Sequence, residues 1–166
     1  MGIACGLYRV NKETIEQLRS QAKLAQQYID ENYTWVSGKY HVEGDIAFET
    51  DKAWDIAKFL LKKCDPSTDK VLRGLDGIPI DAAGDWDSPR YITPETVKVV
   101  HSVLNAVTSE QLVKAYNQEE MVQSHVYRPD WWDAPDWEYI DSHVITMKQA
   151  FARAAECGDG LILNFH

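Results

Sequence analysis

The sequence predicts an α+β fold in a single domain of 166 residues, with a small mixed sheet packed by about five helices. Two short apolar segments, at residues 3–10 and 161–165, predict strands near the two ends of the chain. Between them, several stretches repeat apolar residues at helical spacing. We therefore expect the N- and C-terminal strands to lie beside each other in one sheet that the helices cover.

The first third of the chain alternates strand and helix signals. Residues 3–10 are apolar on both faces, which is typical of a buried strand, and Asn11 is positioned to cap a helix over residues 12–30. The apolar stripe of this helix consists of Ile15, Leu18, Ala22, Ala25 and Ile29. Residues 33–48 hold two glycines among aromatic and β-branched residues, and they predict either an irregular loop or a short hairpin.

A helix with a tryptophan in its apolar face is predicted next. We expect Thr50 to cap it and Asp51 to lie in its first turn. Its buried face consists of Ala53, Trp54, Ala57, Leu60 and Leu61, widened by Ile56 and Phe59. Asp65-Pro66-Ser67 ends the helix. Residues 65–90 hold three glycines and several aspartates, and they predict a loop-rich segment of a length that is often functional or mobile.

The second half of the chain carries helix caps in sequence. Thr93, followed by a proline at the first helical position, predicts a helix start. Thr108 opens a capping box for a short helix, and Asn117 opens another short turn. The last helix is expected to begin around Asp136 and to end at Gly158. Its apolar stripe consists of Trp137, Ile140, Val144, Met147, Phe151 and Ala154.

Charge, cysteines and missing motifs limit the functions to consider. The net charge of −9 disfavours binding to nucleic acid or anionic membranes and favours a basic partner. Three separated cysteines argue against a disulfide framework or a structural zinc site, and no signal-peptide pattern follows Met1, so we expect a cytoplasmic protein. No histidine pair has HxxxH spacing, and phosphate-loop, dinucleotide and hydrolase motifs are missing from the sequence. We predict no catalytic residue, metal or cofactor.

The segment 127–137 is the main functional candidate, because it combines three Trp and three Asp with two prolines. Exposed aromatic rings beside carboxylates make good anchors for a basic protein. We therefore predict a non-enzymatic, acidic protein-binding module, of which an immunity protein that neutralises a basic toxin is one form. We expect one of Trp131 and Trp132 to pack on the core and the other to stay partly exposed. The predicted partner-binding residues are Tyr127, Asp130, Trp131, Trp132, Asp133 and Asp136.

An alternative interpretation is a small-molecule enzyme or a ligand sensor. Its pocket is expected between the helix of Trp54, the 81–90 loop and Tyr127, and the residues that line it are Trp54, Asp55, Arg90, Tyr91 and His125. There we expect Asp55 to pair with Arg90, because a buried carboxylate needs a charged partner. A third interpretation, a purely structural subunit, predicts a large apolar interface.

Five short stretches, in order along nearly the whole chain, resemble the YfbM-like family of bacterial proteins of unknown function. They are Met1-Gly2 with the first strand, Thr50-Asp51-Lys52-Ala53-Trp54, Pro89-Arg90-Tyr91-Ile92-Thr93-Pro94-Glu95-Thr96-Val97, Val126-Tyr127-Arg128-Pro129 with Trp131 or Trp132, and Ala154-Ala155-Glu156-Cys157-Gly158-Asp159-Gly160. The chain departs from the family pattern where Lys58 stands in place of a histidine, and where Lys62 or Lys63 stands in place of a glycine. The resemblance implies a compact α+β domain and no established activity.

Overall fold

The structure, a computed structural model, describes residues 2–32, 35–36, 39–40 and 46–166. The α-helices in this part of the chain are α1 (Lys12–Ser20), α2 (Ala25–Asn32), α3 (Trp54–Cys64), α4 (Asp69–Leu72), α5 (Pro94–Leu104), α6 (Ser109–Ala115), α7 (Gln118–Gln123) and α8 (Trp137–Cys157). The strands are β1 (Cys5–Val10), β2 (Trp35–Val36), β3 (Lys39–Tyr40), β4 (Ala47–Glu49), β5 (Ile78–Pro79), β6 (Arg90–Ile92) and β7 (Gly160–Phe165). Short 3₁₀ turns occur at Ala22–Leu24, Asp51–Ala53, Pro66–Thr68, Arg73–Asp76 and Pro129–Trp132.

Strands from the two ends of the chain form the centre of a five-stranded sheet, ordered β4-β1-β7-β6-β5. β1 and β7 pair antiparallel, from Cys5 opposite Phe165 to Val10 opposite Gly160, which confirms the expected arrangement. The other pairings in this sheet are also antiparallel. β2 and β3 pair with each other in a separate ribbon. Of the remaining residues in the predicted loop or hairpin, 47–48 belong to β4, and 33–34, 37–38 and 41–45 lie outside the described residues.

Helices cover both faces of the sheet, because β1 carries apolar side chains on each face. Cys5 and Leu7 face a larger core that includes residues of α3, α5 and α8. Tyr8 and Val10 face a smaller core that includes residues of α1 and α2. Successive side chains of a strand point to opposite faces. The apolar residues on both faces of residues 3–10 therefore mark a strand buried between two layers, as predicted.

Local capping signals correctly predict most helix ends. Thr93 and Asp136 accept hydrogen bonds from backbone N–H groups in the first turns of α5 and α8, at 3.2 and 3.0 Å. Thr108 and Gln111 form the predicted capping box of α6. Gly158 follows α8 with a φ of 72°, a left-handed conformation that glycine adopts without strain.

Two predicted helix boundaries differ from the structure. The chain leaves the helical conformation at Gln21, so the helix expected over residues 12–30 is divided into α1 and α2. Thr50 does not cap α3, because its hydroxyl donates to the carbonyl oxygen of Cys5 at 2.6 Å and a 3₁₀ turn precedes the helix. The loop-rich segment 65–90 contains α4, two 3₁₀ turns and β5.

Candidate functional site

Residues 125–128, here called the corner, hold Tyr127 against the start of α3. Asp55 Oδ2 accepts a hydrogen bond from the backbone N–H of Tyr127 at 2.8 Å. The Tyr127 hydroxyl oxygen accepts the N–H of Ile3 at 2.7 Å, and the indole N–H of Trp54 donates to the Ile3 carbonyl at 3.0 Å. These bonds join the N-terminal segment, α3 and the corner at the side of the sheet where β1 begins.

Backbone strain is found at this same end of the molecule. Asp51, His125 and Arg128 have φ angles of 41°, 55° and 50°, and in the described part of the chain they are the non-glycine residues with positive φ. A left-handed residue other than glycine costs about 1–2 kcal/mol, and such residues persist only where surrounding contacts hold them. At Asp51 the contact is a hydrogen bond of 2.8 Å from the Tyr139 hydroxyl to Oδ2. Two of the three residues belong to the corner.

Five aromatic side chains form a continuous row across this end, which we call the aromatic row. Successive ring centroids are 6.5 Å apart from Trp86 to Phe165, 5.1 Å to Trp54, 5.8 Å to Tyr127 and 6.1 Å to Trp131. Aromatic pairs attract one another at about 4.5–7 Å. Trp86 is 61% and Trp131 is 38% exposed, whereas Trp54 is 9% exposed. The row is therefore buried at its centre and reaches solvent at both ends.

Three cationic side chains lie over rings of the aromatic row. Lys58 Nζ is 4.9 Å from the centroid of the Trp54 ring. Arg128 Cζ is 4.7 Å and Lys52 Nζ is 5.9 Å from the centroid of the Trp131 ring. Cation–π attraction contributes about 0.5–1 kcal/mol at exposed sites. The faces of these rings are thus already used to attract positive charge.

Lys58 also connects α3 to the 3₁₀ turn that precedes β5. Its Nζ is 3.1 Å from Asp76 Oδ1 and 3.6 Å from Asp55 Oδ1. Lys62 Nζ is 2.7 Å from the other oxygen of Asp76. Burial opposes ionisation of Asp76, but the two lysines outweigh it and hold the pKa of that carboxyl below its usual value. The carboxylate of Asp76 therefore stays charged and holds the turn on the helix.

A hydrogen-bonded network adjoins the aromatic row at the end of β4. Glu49 Oε1 accepts a hydrogen bond from the backbone N–H of Asp51 at 2.8 Å. Asp51 Oδ2 in turn accepts a hydrogen bond from the Tyr139 hydroxyl. Burial raises the pKa of Glu49 to about 7. Burial and the bond to Asp51 raise the pKa of the Tyr139 phenol, and the ring of His143 lies 4.3 Å from the Tyr139 ring. This network holds the strained residue Asp51 and hence the chain leading to Lys52.

The sequence model of a domain of unknown function, DUF1877, matches residues 1–164 of the chain. The chain belongs to the DUF1877 family. The solved structure of YfbM from Escherichia coli, a protein of unknown function, is similar with a TM-score of 0.68 and 14% identity. The similarity covers 98% of this chain and 99% of that one, and it shows a shared fold. The resemblance to the YfbM-like family is thus confirmed. No curated protein matches the chain.

In this DUF1877 protein, one of the two adjacent tryptophans of segment 127–137 is buried and the other is partly exposed, as predicted. Trp132 is 5% exposed, and its indole N–H donates to the Tyr127 carbonyl at 3.3 Å. Its ring stacks on Tyr139 with centroids 6.3 Å apart. Trp131 remains 38% exposed at the end of the aromatic row. One ring therefore belongs to the core, and the other remains partly exposed to solvent.

The three aspartates of the segment are exposed, and each also has a contact within the chain. Asp136 caps α8. Asp133 Oδ1 accepts a hydrogen bond from the Gln118 amide at 2.6 Å, and Asp130 lies 3.7 Å from Arg128. Since exposed pairs of this kind contribute little to stability, these carboxylates can still meet an external charge.

The residues of the predicted alternative pocket are only partly brought together. Trp54 and Asp55 lie beside Tyr127, and His125 is exposed in the corner. Tyr91 is buried in the smaller core on the other face of the sheet. The 81–90 loop reaches this end of the molecule through Trp86 of the aromatic row.

The predicted pairing of Asp55 with Arg90 is wrong. Arg90 donates instead to the backbone carbonyls of Asp76 at 2.6 Å and Gly77 at 3.2 Å. Asp55 has Lys58, one turn further along α3, as its ionic partner. Because Lys58 and the backbone N–H of the corner already satisfy the carboxylate, it needs no second cation.

Four residues at this end were not singled out from the sequence: Trp86, Phe165, Glu49 and Tyr139. They belong to a loop, two strand ends and a helix. They meet because β4 and β7 both end on the side of the sheet where β1 begins. The sequence offered one local signal, the Asp85-Trp86-Asp87 motif, which combines an aromatic ring with two carboxylates as the segment 130–133 does.

Metal and thiol chemistry receive little support from the described residues. Among them, no three or more His, Cys, Asp or Glu side chains are grouped to hold a metal ion. Cys5, Cys64 and Cys157 are free thiols, and burial raises the pKa of Cys5 to about 12.

Among the described residues, every helix is too short or too polar to cross a bilayer.

Proposed function

We propose that this DUF1877 protein is a non-enzymatic protein-binding module that docks a basic partner on the aromatic row. The observation that carries the proposal is the row itself, which exposes Trp86 and Trp131 at its ends and buries Trp54 at its centre. Tryptophan and tyrosine are enriched among residues that dominate binding energies. Rings held by their neighbours also lose little side-chain freedom when a partner binds.

Carboxylates near both ends of the row support a basic partner. They are the exposed side chains of Asp85 and Asp87 beside Trp86, and of Asp130 and Asp133 beside Trp131. The net charge of −9 adds a long-range attraction that speeds encounter with a positively charged protein. Arg128 and Lys52 of the same chain already lie over the Trp131 ring, so the support for a basic partner comes from the neighbouring carboxylates and the net charge.

An immunity protein that neutralises a basic toxin in the cytoplasm is one concrete form of such a module. The acidic charge supports this form, because it complements a basic toxin and favours fast association. The three free thiols support a reducing compartment.

The test is capture of a partner followed by a measured affinity. The immobilised protein is exposed to lysate of its native host, and a retained protein is identified, purified and titrated by calorimetry. We expect the retained partner to have an isoelectric point above neutrality. Its affinity for this protein should fall about 30-fold or more when Trp86 or Trp131 is replaced by alanine, as for interface hot spots. Asp130→Asn with Asp133→Asn should weaken binding and reduce its dependence on salt.

Val99→Ala and Leu24→Ala are the matched controls for these variants. Both residues are apolar and exposed, at 52% and 45%, and neither belongs to the aromatic row. They should leave the affinity within about twofold, as expected for surface positions outside an interface. The proposal fails if no retained protein distinguishes the tryptophan variants from these controls, or if the partner is acidic.

A second candidate function, a small-molecule enzyme or sensor, is favoured by a cleft of about 320 Å³ beside α3. Its lining consists of Asp55, Lys58, Phe59, Lys62, Lys63, Asp69, Ser124 and Val126. Three lysines suit an anionic ligand, but all three already pair with carboxylates, so we rank this function second. Thermal shifts with anionic metabolites test it. A stabilisation that Lys62→Met removes would support the cleft, and equal shifts in both proteins would reject it.

A further inference from the structure

Trp86 lies at the tip of the loop that joins β5 to β6, and two successive turns shape this loop. The N–H of Gly84 donates to the Asp81 carbonyl at 3.0 Å, and the N–H of Ser88 donates to the Asp85 carbonyl at 3.0 Å. A Cβ atom placed on Gly84 would lie 2.4 Å from Ser88 Oγ, so the two turns pack directly on each other. The loop therefore presents Trp86 from a backbone that its own hydrogen bonds hold in place.

The Trp86 ring is more accessible than a tryptophan ring usually is. The residue is 61% exposed, and its ring contacts Phe165 with centroids 6.5 Å apart and planes tilted by 50°. In the described part of the chain, no lysine or arginine side chain lies over the Trp86 ring, whereas Arg128 and Lys52 lie over the Trp131 ring. An arriving cation therefore finds an accessible ring at Trp86 and two like charges at Trp131.

The two carboxylates that flank Trp86 in the sequence are also unpaired. Asp85 and Asp87 are exposed, and neither carboxylate has a hydrogen bond or an ion pair with another described residue. The carboxylates of Asp130 and Asp133, by contrast, both have partners within the chain. Because consecutive Cα atoms are about 3.8 Å apart, one group that rests on the Trp86 ring can reach both flanking carboxylates.

We infer, on the basis of the proposed function, that Asp85, Trp86 and Asp87 bind an arginine side chain of the basic partner. A guanidinium group is planar and weakly hydrated, so it stacks on an indole ring while its five N–H donors reach carboxylates on both sides. The ammonium group of lysine is a compact and strongly hydrated charge that gains less from a flat ring. The loop therefore selects arginine over lysine at this end of the aromatic row.

The test uses small probes, so it does not depend on capture of the partner. NMR follows the indole N–H signals of the ¹⁵N-labelled protein during addition of Nα-acetyl-arginine amide, the matching lysine amide or the neutral citrulline amide. Trp86→Phe identifies the Trp86 signal by removing it. The arginine probe should shift this signal with a millimolar dissociation constant, about threefold or more tighter than the lysine probe, and citrulline should shift it least. The Trp131 signal should move little.

Matched double variants separate the two pairs of carboxylates. Asp85→Asn combined with Asp87→Asn should weaken arginine binding about fivefold, whereas Asp130→Asn combined with Asp133→Asn should leave it within about twofold. All four residues are exposed, so the fold should tolerate these changes. No shift of the Trp86 signal, equal affinities for arginine and lysine, or an equal effect of the two double variants would overturn the inference.

The probe titration and the partner capture fail in different ways. If arginine binds at Trp86 as expected but lysate yields no basic partner, the proposed function fails and arginine binding by the loop stands. If a basic partner depends on Trp86 and Trp131 but the arginine probe does not bind, the proposed function stands and the arginine site is rejected.

Discussion

The Glu49→Gln variant tests whether burial of this carboxyl lowers stability as the pH rises towards 7. Burial raises its pKa from 4.5 to about 7, so the folded protein holds the proton more tightly than the unfolded chain. Below pH 4.5 both states are protonated and the stabilisation is complete, and between pH 4.5 and 7 it is lost. The shift corresponds to about 3 kcal/mol for a fully buried group. We expect about 2 kcal/mol, because the side chain is 31% exposed.

Urea unfolding followed by tryptophan fluorescence, repeated from about pH 4 to pH 8.5, measures the free energy of unfolding of each variant. The glutamine keeps an acceptor for the Asp51 N–H but cannot titrate. Relative to wild type, Glu49→Gln should gain about 2 kcal/mol between pH 4.5 and 8, and the exposed control Glu16→Gln less than about 0.5 kcal/mol. A difference from wild type that stays constant with pH, or equal changes in both variants, would refute the reasoning.

Three further predictions concern the corner, the two adjacent tryptophans and the thiols. Asp55→Ala should lower the free energy of unfolding by about 2–3 kcal/mol, because a backbone N–H of the corner loses a charged acceptor; a loss below about 0.5 kcal/mol in urea unfolding would contradict this. Trp132→Ala should cost about 3–5 kcal/mol and Trp131→Ala under about 1 kcal/mol, and similar melting temperatures for the two variants would show that their burial is misassigned. Cys157 is exposed, so Ellman's reagent should modify it well before the buried Cys5; the reverse order, read by mass spectrometry, would be incompatible with the structure.

The sequence correctly predicted a helix end wherever the capping residue bonds to residues close to it in the chain. The caps at Thr93, Thr108, Asp136 and Gly158 occur as predicted, because each bonds within one turn of its own chain. Thr50 has the same residue type and failed as a cap, because the carbonyl of a neighbouring strand competes for its hydroxyl. No local pattern reveals such a competitor.

The candidate site was predictable only in part for the same reason. That one of the two adjacent tryptophans is buried and the other partly exposed could be predicted from the usual burial of tryptophan, but which of them is buried is known only from the structure. The contacts of Phe165 with Trp54 and Trp86 depend on strand register and on the course of a loop, both of which are set by distant residues. Asp55 was expected to need a cation and has one, but proximity on the same helix favoured a lysine over the more distant arginine.

The measurement that tests the central claim most directly is site-specific photo-cross-linking in the native host cell. A benzophenone amino acid replaces Trp86 or Trp131 at the ends of the aromatic row, or Val99 as the exposed control on α5. We predict that the first two positions give an adduct with the same basic protein and that position 99 does not. No adduct at either end of the row, or the same adduct at all three positions, would contradict the assignment of the aromatic row as the partner-binding site.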